Sequence, residues 1–133
     1  MKRIWVVLVA FMVCGCAAVV DAPRNIIGFS MRDIEDVRGQ SIYQSYNCEL
    51  DKCFSAAIYI AEDKKLQVFM KDERRFVLVL MGVPGVVDTT EVGLFFSAID
   101  KGVRVEVASR SSQARRIVAR MIFGEMDNRF TKI

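Results

Sequence analysis

The 133-residue chain contains no histidine. Histidine is the usual base that activates a serine or cysteine nucleophile, and it is the commonest metal ligand. The chain also lacks a phosphate-binding loop, a glycine-rich nucleotide fingerprint and a Cys-x-x-Cys ligand pair. We therefore predict no catalytic set, no metal site, no cofactor and no enzyme activity.

Carboxylates alone could in principle form the catalytic pair of a glycosidase. Asp63, Asp72, Glu91 and Asp100 fall at expected turns or strand ends, and their spacing does not place two of them across a cleft, as a glycosidase requires. We interpret them as solvated turn residues. The run Thr89-Thr90-Glu91 is interpreted as a hydrogen-bonded turn that leads into a strand, and a polar site at the end of the loop is the alternative.

The N-terminus has the pattern of an export signal. Lys2 and Arg3 are followed by an apolar run from Ile4 to Val13. The run ends in Val13-Cys14-Gly15-Cys16, which resembles the lipobox of bacterial lipoproteins, with Cys16 at the position that receives lipid. The resemblance implies a signal peptide over residues 1–15, cleavage before Cys16 and a membrane anchor on that cysteine.

The same resemblance implies a location. Ala17 stands where an inner-membrane retention signal typically has Asp, which favours the outer membrane, facing the periplasm. Residues 16–29 then form the lipidated N-terminus and a tether, and residues 30–133 form one domain. The alternative is an uncleaved membrane helix, since Ile4 to Val20 is a single apolar stretch at the short limit of what spans a bilayer.

Removal of the signal leaves Cys48 and Cys53 as an even pair in an oxidising compartment. A disulfide is one interpretation, and two small core residues are the other. Residues five apart on one helix point in different directions, so a bond requires Cys48 to lie just before the helix.

Hydrophobic periodicity predicts the elements of the domain. A short helix or turn follows Ser30 and stops at Gly39. The elements after it are a strand at Ser41–Tyr46, a helix at Glu49–Asp63 capped by Asn47 or Cys48, strands at Leu66–Lys71, Arg75–Met81, Glu91–Ile99 and Val103–Val107, and a helix from Ser111 or Ser112 to Gly124 or Met126. Asp100-Lys101-Gly102 is the expected hairpin turn, with a positive φ at the glycine.

The order β-α-β-β-β-β-α predicts an α+β fold, in which an antiparallel sheet of about five strands carries two helices on one face. This order resembles the helix-grip topology of some outer-membrane assembly lipoproteins. Several segments also resemble a group of small uncharacterised bacterial lipoproteins: Gly28-Phe29-Ser30, Asp33-Ile34-Glu35-Asp36-Val37-Arg38, the run from Thr89 to Phe96, and Val105-Glu106-Val107-Ala108-Ser109.

Charge is unevenly distributed along the mature chain. Five acidic residues oppose two basic ones between Met31 and Asp51, whereas six basic residues oppose two acidic ones after Ser109. We predict that Arg115, Arg116 and Arg120 form a face for an anionic partner or lipid headgroups, with a solvated outer face as the alternative. Export and a mature net charge near zero argue against nucleic acid.

Two functions fit these features. The first is a membrane-anchored envelope lipoprotein that acts as a non-enzymatic interaction or assembly accessory, with envelope proteins as its partners. The alternative is a module that binds a small apolar or anionic ligand between sheet and helices, where Phe69, Phe76, Phe95, Phe96 and Met81 supply apolar surface. A filled core favours the first function, and an enclosed cavity favours the second.

Overall fold

Five strands form one antiparallel sheet in the computed structural model, which describes residues 31–133. The strands are β1 (Ile42–Tyr46), β2 (Gln67–Asp72), β3 (Val77–Met81), β4 (Val92–Ile99) and β5 (Gly102–Ala108). Their order across the sheet is β1-β5-β4-β3-β2, and every neighbouring pair is antiparallel. The predicted signal peptide, Cys16 and the tether lie outside the described residues.

Two helices pack against one face of this sheet. They are α1 (Leu50–Asp63) and α2 (Ser112–Arg129). Alternate strand residues meet them in a common core, in which Leu94, Val105 and Ile122 are fully buried. Such alternation follows from the two-residue period of a strand. The predicted α+β fold and its order of elements are confirmed.

Helix α2 begins as predicted but ends later. The Ser111 side chain accepts a hydrogen bond from the Ala114 amide at 3.1 Å, which caps the first turn. The helix continues through Gly124 to Arg129, because the buried Met126 extends its apolar stripe beyond the glycine. Packing therefore outweighs the low helix propensity of glycine, which costs about 1 kcal/mol relative to alanine.

Helix α1 starts one residue later than expected. Its N-cap is Glu49, which makes no side-chain capping bond, so neither Asn47 nor Cys48 is the cap. Cys48 lies in the bend before the N-cap.

The β4–β5 hairpin needs its glycine for a different reason from the one predicted. Gly102 does not have a positive φ; among described glycines, Gly82 and Gly85 do. A side chain at Gly102 would instead collide with the carbonyl oxygen of Tyr46 on β1. The glycine thus allows β5 to start close to the end of β1.

The second face of the sheet carries the segment from Asp33 to Gln40. Residues 31–36 are helical, and a 3-10 helix follows at Arg38–Gln40. Gly93 leaves room for this segment on the sheet. A Cβ atom at that position would lie 2.5 Å from Cγ2 of Ile34, which is too close. Glu106 alternates along β5 with the valines that face the helices, and on this second face it is only 8 % exposed.

The two edges of the sheet differ. The edge strand β2 contains a bulge between Val68 and Met70. On β1, the Asn47 amide donates to the carbonyl of Thr131 at 2.8 Å, and the Ile133 amide donates to the carbonyl of Ser45 at 3.1 Å. The C-terminal residues therefore cover part of the β1 edge.

Candidate functional site

The predicted arginine face on α2 is narrower than expected. Arg116 and Arg120 are exposed and lie one turn apart, and neither forms a salt bridge within residues 31–133. Arg115 is half-buried, and its Nε atom has no hydrogen-bond partner in this part of the chain. Consecutive helix residues point about 100° apart, so Arg115 does not share the outward stripe of Arg116.

The other basic residues near the C-terminus are engaged. Arg110 pairs with Asp33 at 2.8 Å, and Lys132 pairs with Asp127 at 2.7 Å. The guanidinium of Arg129 lies 4.9 Å from the centre of the Tyr59 ring. Near the C-terminus, the basic side chains that remain free to contact a partner are therefore mainly Arg116 and Arg120.

Cys48 and Cys53 are joined by a disulfide in the structure, with Cα atoms 6.1 Å apart. This separation falls within the usual range for a disulfide. It is reached because Cys48 precedes α1 while Cys53 lies on the first turns of the helix. The bond ties the start of α1 to the end of β1.

Glu106 forms a clasp with Arg38 on the second face. The Arg38 Nε donates to Glu106 Oε2 at 3.0 Å, and its Nη2 donates to the same oxygen. Ser41 adds a donor at 3.4 Å, and Nη2 of Arg38 also donates to Ser97 at 3.3 Å. The Arg38 guanidinium lies 4.5 Å from the centre of the Phe95 ring. The clasp fixes the N-terminal part of the domain to the sheet.

Tyr46 and Asp127 form a second polar network, on the helix side of β1. The fully buried Tyr46 hydroxyl donates to Asp127 Oδ1 at 2.9 Å, and the Gln44 amide donates to the same oxygen at 2.9 Å. Burial and the Asp127 carboxylate raise the pKa of Tyr46. Desolvation acts to raise the pKa of Asp127, but bonds from Lys132, Tyr46 and Gln44 outweigh it and lower the pKa. The network joins β1, α2 and the C-terminal residues.

The turn carboxylate Asp72 has a local structural role. It accepts hydrogen bonds from the backbone amides of Arg74 and Arg75 and from the Arg75 side chain. The backbone bond from Arg75 is the main reason that the pKa of Asp72 is lowered. These bonds shape the turn between β2 and β3.

The run Thr89-Thr90-Glu91 lines an open cleft of about 470 Å³. The opposite walls are Ser109-Arg110-Ser111 and the segment Asp33-Ile34. The Ser109 hydroxyl donates to the carbonyl of Glu91 at 2.7 Å and accepts from the Ser111 amide, which holds two of the walls together. The sequence alone did not indicate that these three segments meet.

A second open cleft, of about 380 Å³, lies beside α1.

Residues 31–133 contain no group of three His, Cys, Asp or Glu side chains arranged to hold a metal ion. Within the same residues, no helix is long and apolar enough to cross a membrane.

Comparison with known protein families finds none that matches this chain. A comparison with curated proteins likewise finds no significant match.

Proposed function

We propose that the protein is a membrane-anchored envelope lipoprotein whose domain acts as a non-enzymatic interaction or assembly accessory. The observation that supports this most directly is the filled core. Large side chains between sheet and helices, including Leu80, Leu94 and Ile122, have no exposed surface. Binding then takes place at the outer surface of the domain, as in an interaction module.

The proposed anchor is lipid on Cys16, as the lipobox-like sequence implies. Ala17 after the cysteine supports retention in the outer membrane on the periplasmic side. One chain confers only weak membrane binding, whereas lipoproteins of this kind carry several acyl chains, each methylene contributing about 0.8 kcal/mol. The domain would remain at the membrane permanently.

Arg116 and Arg120 are the proposed contact with an anionic partner or with lipid headgroups. Both guanidinium groups are exposed and lack an acidic partner among the described residues. Exposed positive charge mainly steers association and selects the partner, rather than supplying most of the affinity.

A small-ligand module is the second candidate, and the cleft at Thr89-Thr90-Glu91 favours it. The cleft brings hydroxyl groups and Arg110 together from separate segments. Arg110 already pairs with Asp33, so an anionic ligand has to compete with that carboxylate. This competition is why we rank the ligand module second.

Mass spectrometry of the mature N-terminus tests the anchor. The wild-type protein and Cys16→Ser are isolated from cells that express each. We expect lipid on Cys16 and loss of residues 1–15 in the wild type, and neither change in the variant. An intact Met1 without lipid in the wild type would refute the lipoprotein assignment.

Vesicle co-sedimentation tests the arginine pair. The chain from residue 16 onward, with Ser in place of Cys16, carries neither the lipid nor the apolar signal. It is mixed with phosphatidylcholine vesicles with or without phosphatidylglycerol. Replacement of Arg116 and Arg120 by Gln should abolish any preference for anionic vesicles. Arg74→Gln is the matched control, because Arg74 is an exposed arginine on the β2–β3 turn. No preference in the parent protein would exclude headgroups and leave an acidic protein surface as the partner.

A further inference from the structure

A groove of about 380 Å³ runs between α1 and the turn that joins β2 to β3. Its floor is apolar and consists of Phe54, Ile58 and Phe76. Its rim is polar and consists of Asp51, Ser55, Lys71 and Glu73. An apolar centre with a polar rim is the usual anatomy of a protein–protein contact. We call this feature the α1 groove.

The floor of the α1 groove is held rigidly. The Phe54 ring packs edge-on against Phe76, with ring centres 5.4 Å apart, and edge-on against Phe96, with ring centres 5.3 Å apart. Phe54 is 4 % exposed, whereas Phe76 and Ile58 remain half-buried. An incoming side chain therefore meets apolar surface that is already formed and costs little ordering entropy.

Phe76 adopts an unusual backbone conformation at this position. Its φ is +53°, a value that a bulky residue rarely adopts and that costs on the order of 1 kcal/mol or more. The conformation is held by β4, since the Phe96 amide donates to the Phe76 carbonyl at 3.1 Å. Such strain is concentrated at binding and active sites. Here it keeps an aromatic ring at the surface of the groove.

The charge of the rim indicates what the α1 groove accepts. Lys71 pairs with Glu73 at 3.0 Å, while Asp51 has no ion pair or hydrogen-bond partner among the described side chains. From its N-cap to its C-cap, α1 carries four exposed carboxylates against two lysines: Glu49, Asp51, Glu62 and Asp63 against Lys52 and Lys64. Lys52 pairs with Glu49 at 3.3 Å, and Lys64 pairs with Glu125 on α2 at 2.9 Å. An occupant with positive charge is complementary to this surface, and an acidic one is repelled.

We propose that the α1 groove binds a basic segment of a partner protein. An apolar side chain of that segment enters between Phe54, Ile58 and Phe76. A flanking lysine or arginine meets Asp51, which has no partner among the described side chains. This inference rests on the proposed function, because it names the partner class of the interaction module. It assigns binding to a surface distinct from the Arg116–Arg120 face.

The test is a titration of a labelled peptide. The probe is an eight-residue peptide with one central leucine flanked by lysines, labelled with fluorescein. Full-length protein is added in a nonionic detergent at low ionic strength, and fluorescence anisotropy is recorded against the detergent alone. We expect saturable binding that is lost when the leucine is replaced by serine or the lysines by glutamates.

Variants of the groove locate the binding. Ile58→Ala should weaken binding about tenfold through lost apolar contact, and Asp51→Asn about threefold through lost charge. Ser55→Arg, at an exposed rim position, should abolish binding without disturbing the core. Glu35→Gln is the matched control: it also removes one exposed carboxylate, but it lies outside the groove and should leave binding unchanged.

Three results would overturn the proposal: equal affinity for the serine peptide, equal weakening by Glu35→Gln, or binding that Ser55→Arg does not affect. Self-association of the protein that Ser55→Arg abolishes, without peptide binding, would assign the groove to a second copy instead. The titration does not require lipid on Cys16. A failed groove and a failed anchor therefore give separate results.

Discussion

Removal of the Glu106 carboxylate should release the Arg38 clasp and destabilise the domain measurably. Glu106 is 8 % exposed, so its charge is held by partners rather than by water. Arg38 supplies two hydrogen bonds to it, and the Ser41 hydroxyl supplies another at 3.4 Å. Glu106→Ala removes the acceptor of Arg38 Nε and of the Ser41 hydroxyl, while Nη2 of Arg38 keeps its bond to Ser97.

The magnitude follows from the exposure of the two partners. Breaking a fully buried ion pair costs about 3–5 kcal/mol. The Arg38 side chain is 38 % exposed, and it can turn towards water when the carboxylate is gone. We therefore expect Glu106→Ala to lower the free energy of unfolding by about 2 kcal/mol. Glu106→Gln, which keeps the shape and one acceptor, should lower it by about 1 kcal/mol.

Urea unfolding of four proteins measures the clasp: wild type, Glu106→Ala, Arg38→Ala and the double variant. If the two residues act together, the double variant should lose less stability than the sum of the single losses, with a coupling of about 1 kcal/mol. Lys101→Ala, at the exposed β4–β5 turn, is the control and should change stability little. Additive losses, or a loss below about 0.5 kcal/mol for Glu106→Ala, would refute the clasp.

Three further changes probe other parts of the domain. Gly93→Ala should destabilise by about 1–3 kcal/mol in thermal unfolding, because its Cβ would lie 2.5 Å from Ile34, and Ile34→Ala in the same chain should restore part of the loss. The pKa of Asp127 is lowered in the folded protein. Its carboxylate therefore stabilises the fold at pH values above the unfolded pKa of about 4, and this stabilisation is lost as pH falls through the folded pKa. Asp127→Asn should make the free energy of unfolding depend less on pH in this acidic range. Reduction of the Cys48–Cys53 bond should lower the free energy of unfolding by about 2 kcal/mol, because the loop that it closes is short. Alkylation of the denatured, unreduced chain should leave both cysteines unmodified.

Local periodicity predicted most of the fold. Val103, Val105 and Val107 alternate along β5, and all three are buried against the helices. The Ser111 cap and the stripe of Ala114, Val118 and Ile122 on α2 follow equally from spacing that a short window reveals. These features depend on neighbours a few residues apart, so the order of letters is enough to find them.

Contacts between distant segments were not predictable in this way. Arg38 and Glu106 are 68 residues apart, so the alternation along β5 does not reveal that another segment covers Glu106. The reason for Gly102 was also missed, since it depends on the carbonyl of Tyr46 on a neighbouring strand. The alternation of residues along a strand indicates which face of the sheet a residue occupies, but it does not indicate which segment covers that face.

The same difference between local spacing and long-range contact applies to the candidate sites. The exposed pair Arg116 and Arg120 was predicted from helical spacing, while Arg115 was grouped with them although it points elsewhere. The α1 groove was not predicted, because Phe76 was expected inside a regular strand. Its positive φ places it at the end of the β2–β3 turn instead.

The two edges of the sheet limit how copies of this domain associate. An open edge offers unpaired amides and carbonyls to any strand that approaches it. Here the bulge in β2 disrupts the regular spacing on one side, while Thr131 and Ile133 occupy backbone groups of β1 on the other. Unprotected edges promote fibre-like stacking of sheets at high local concentration. The edges of this sheet instead leave neighbouring copies with contacts between side chains.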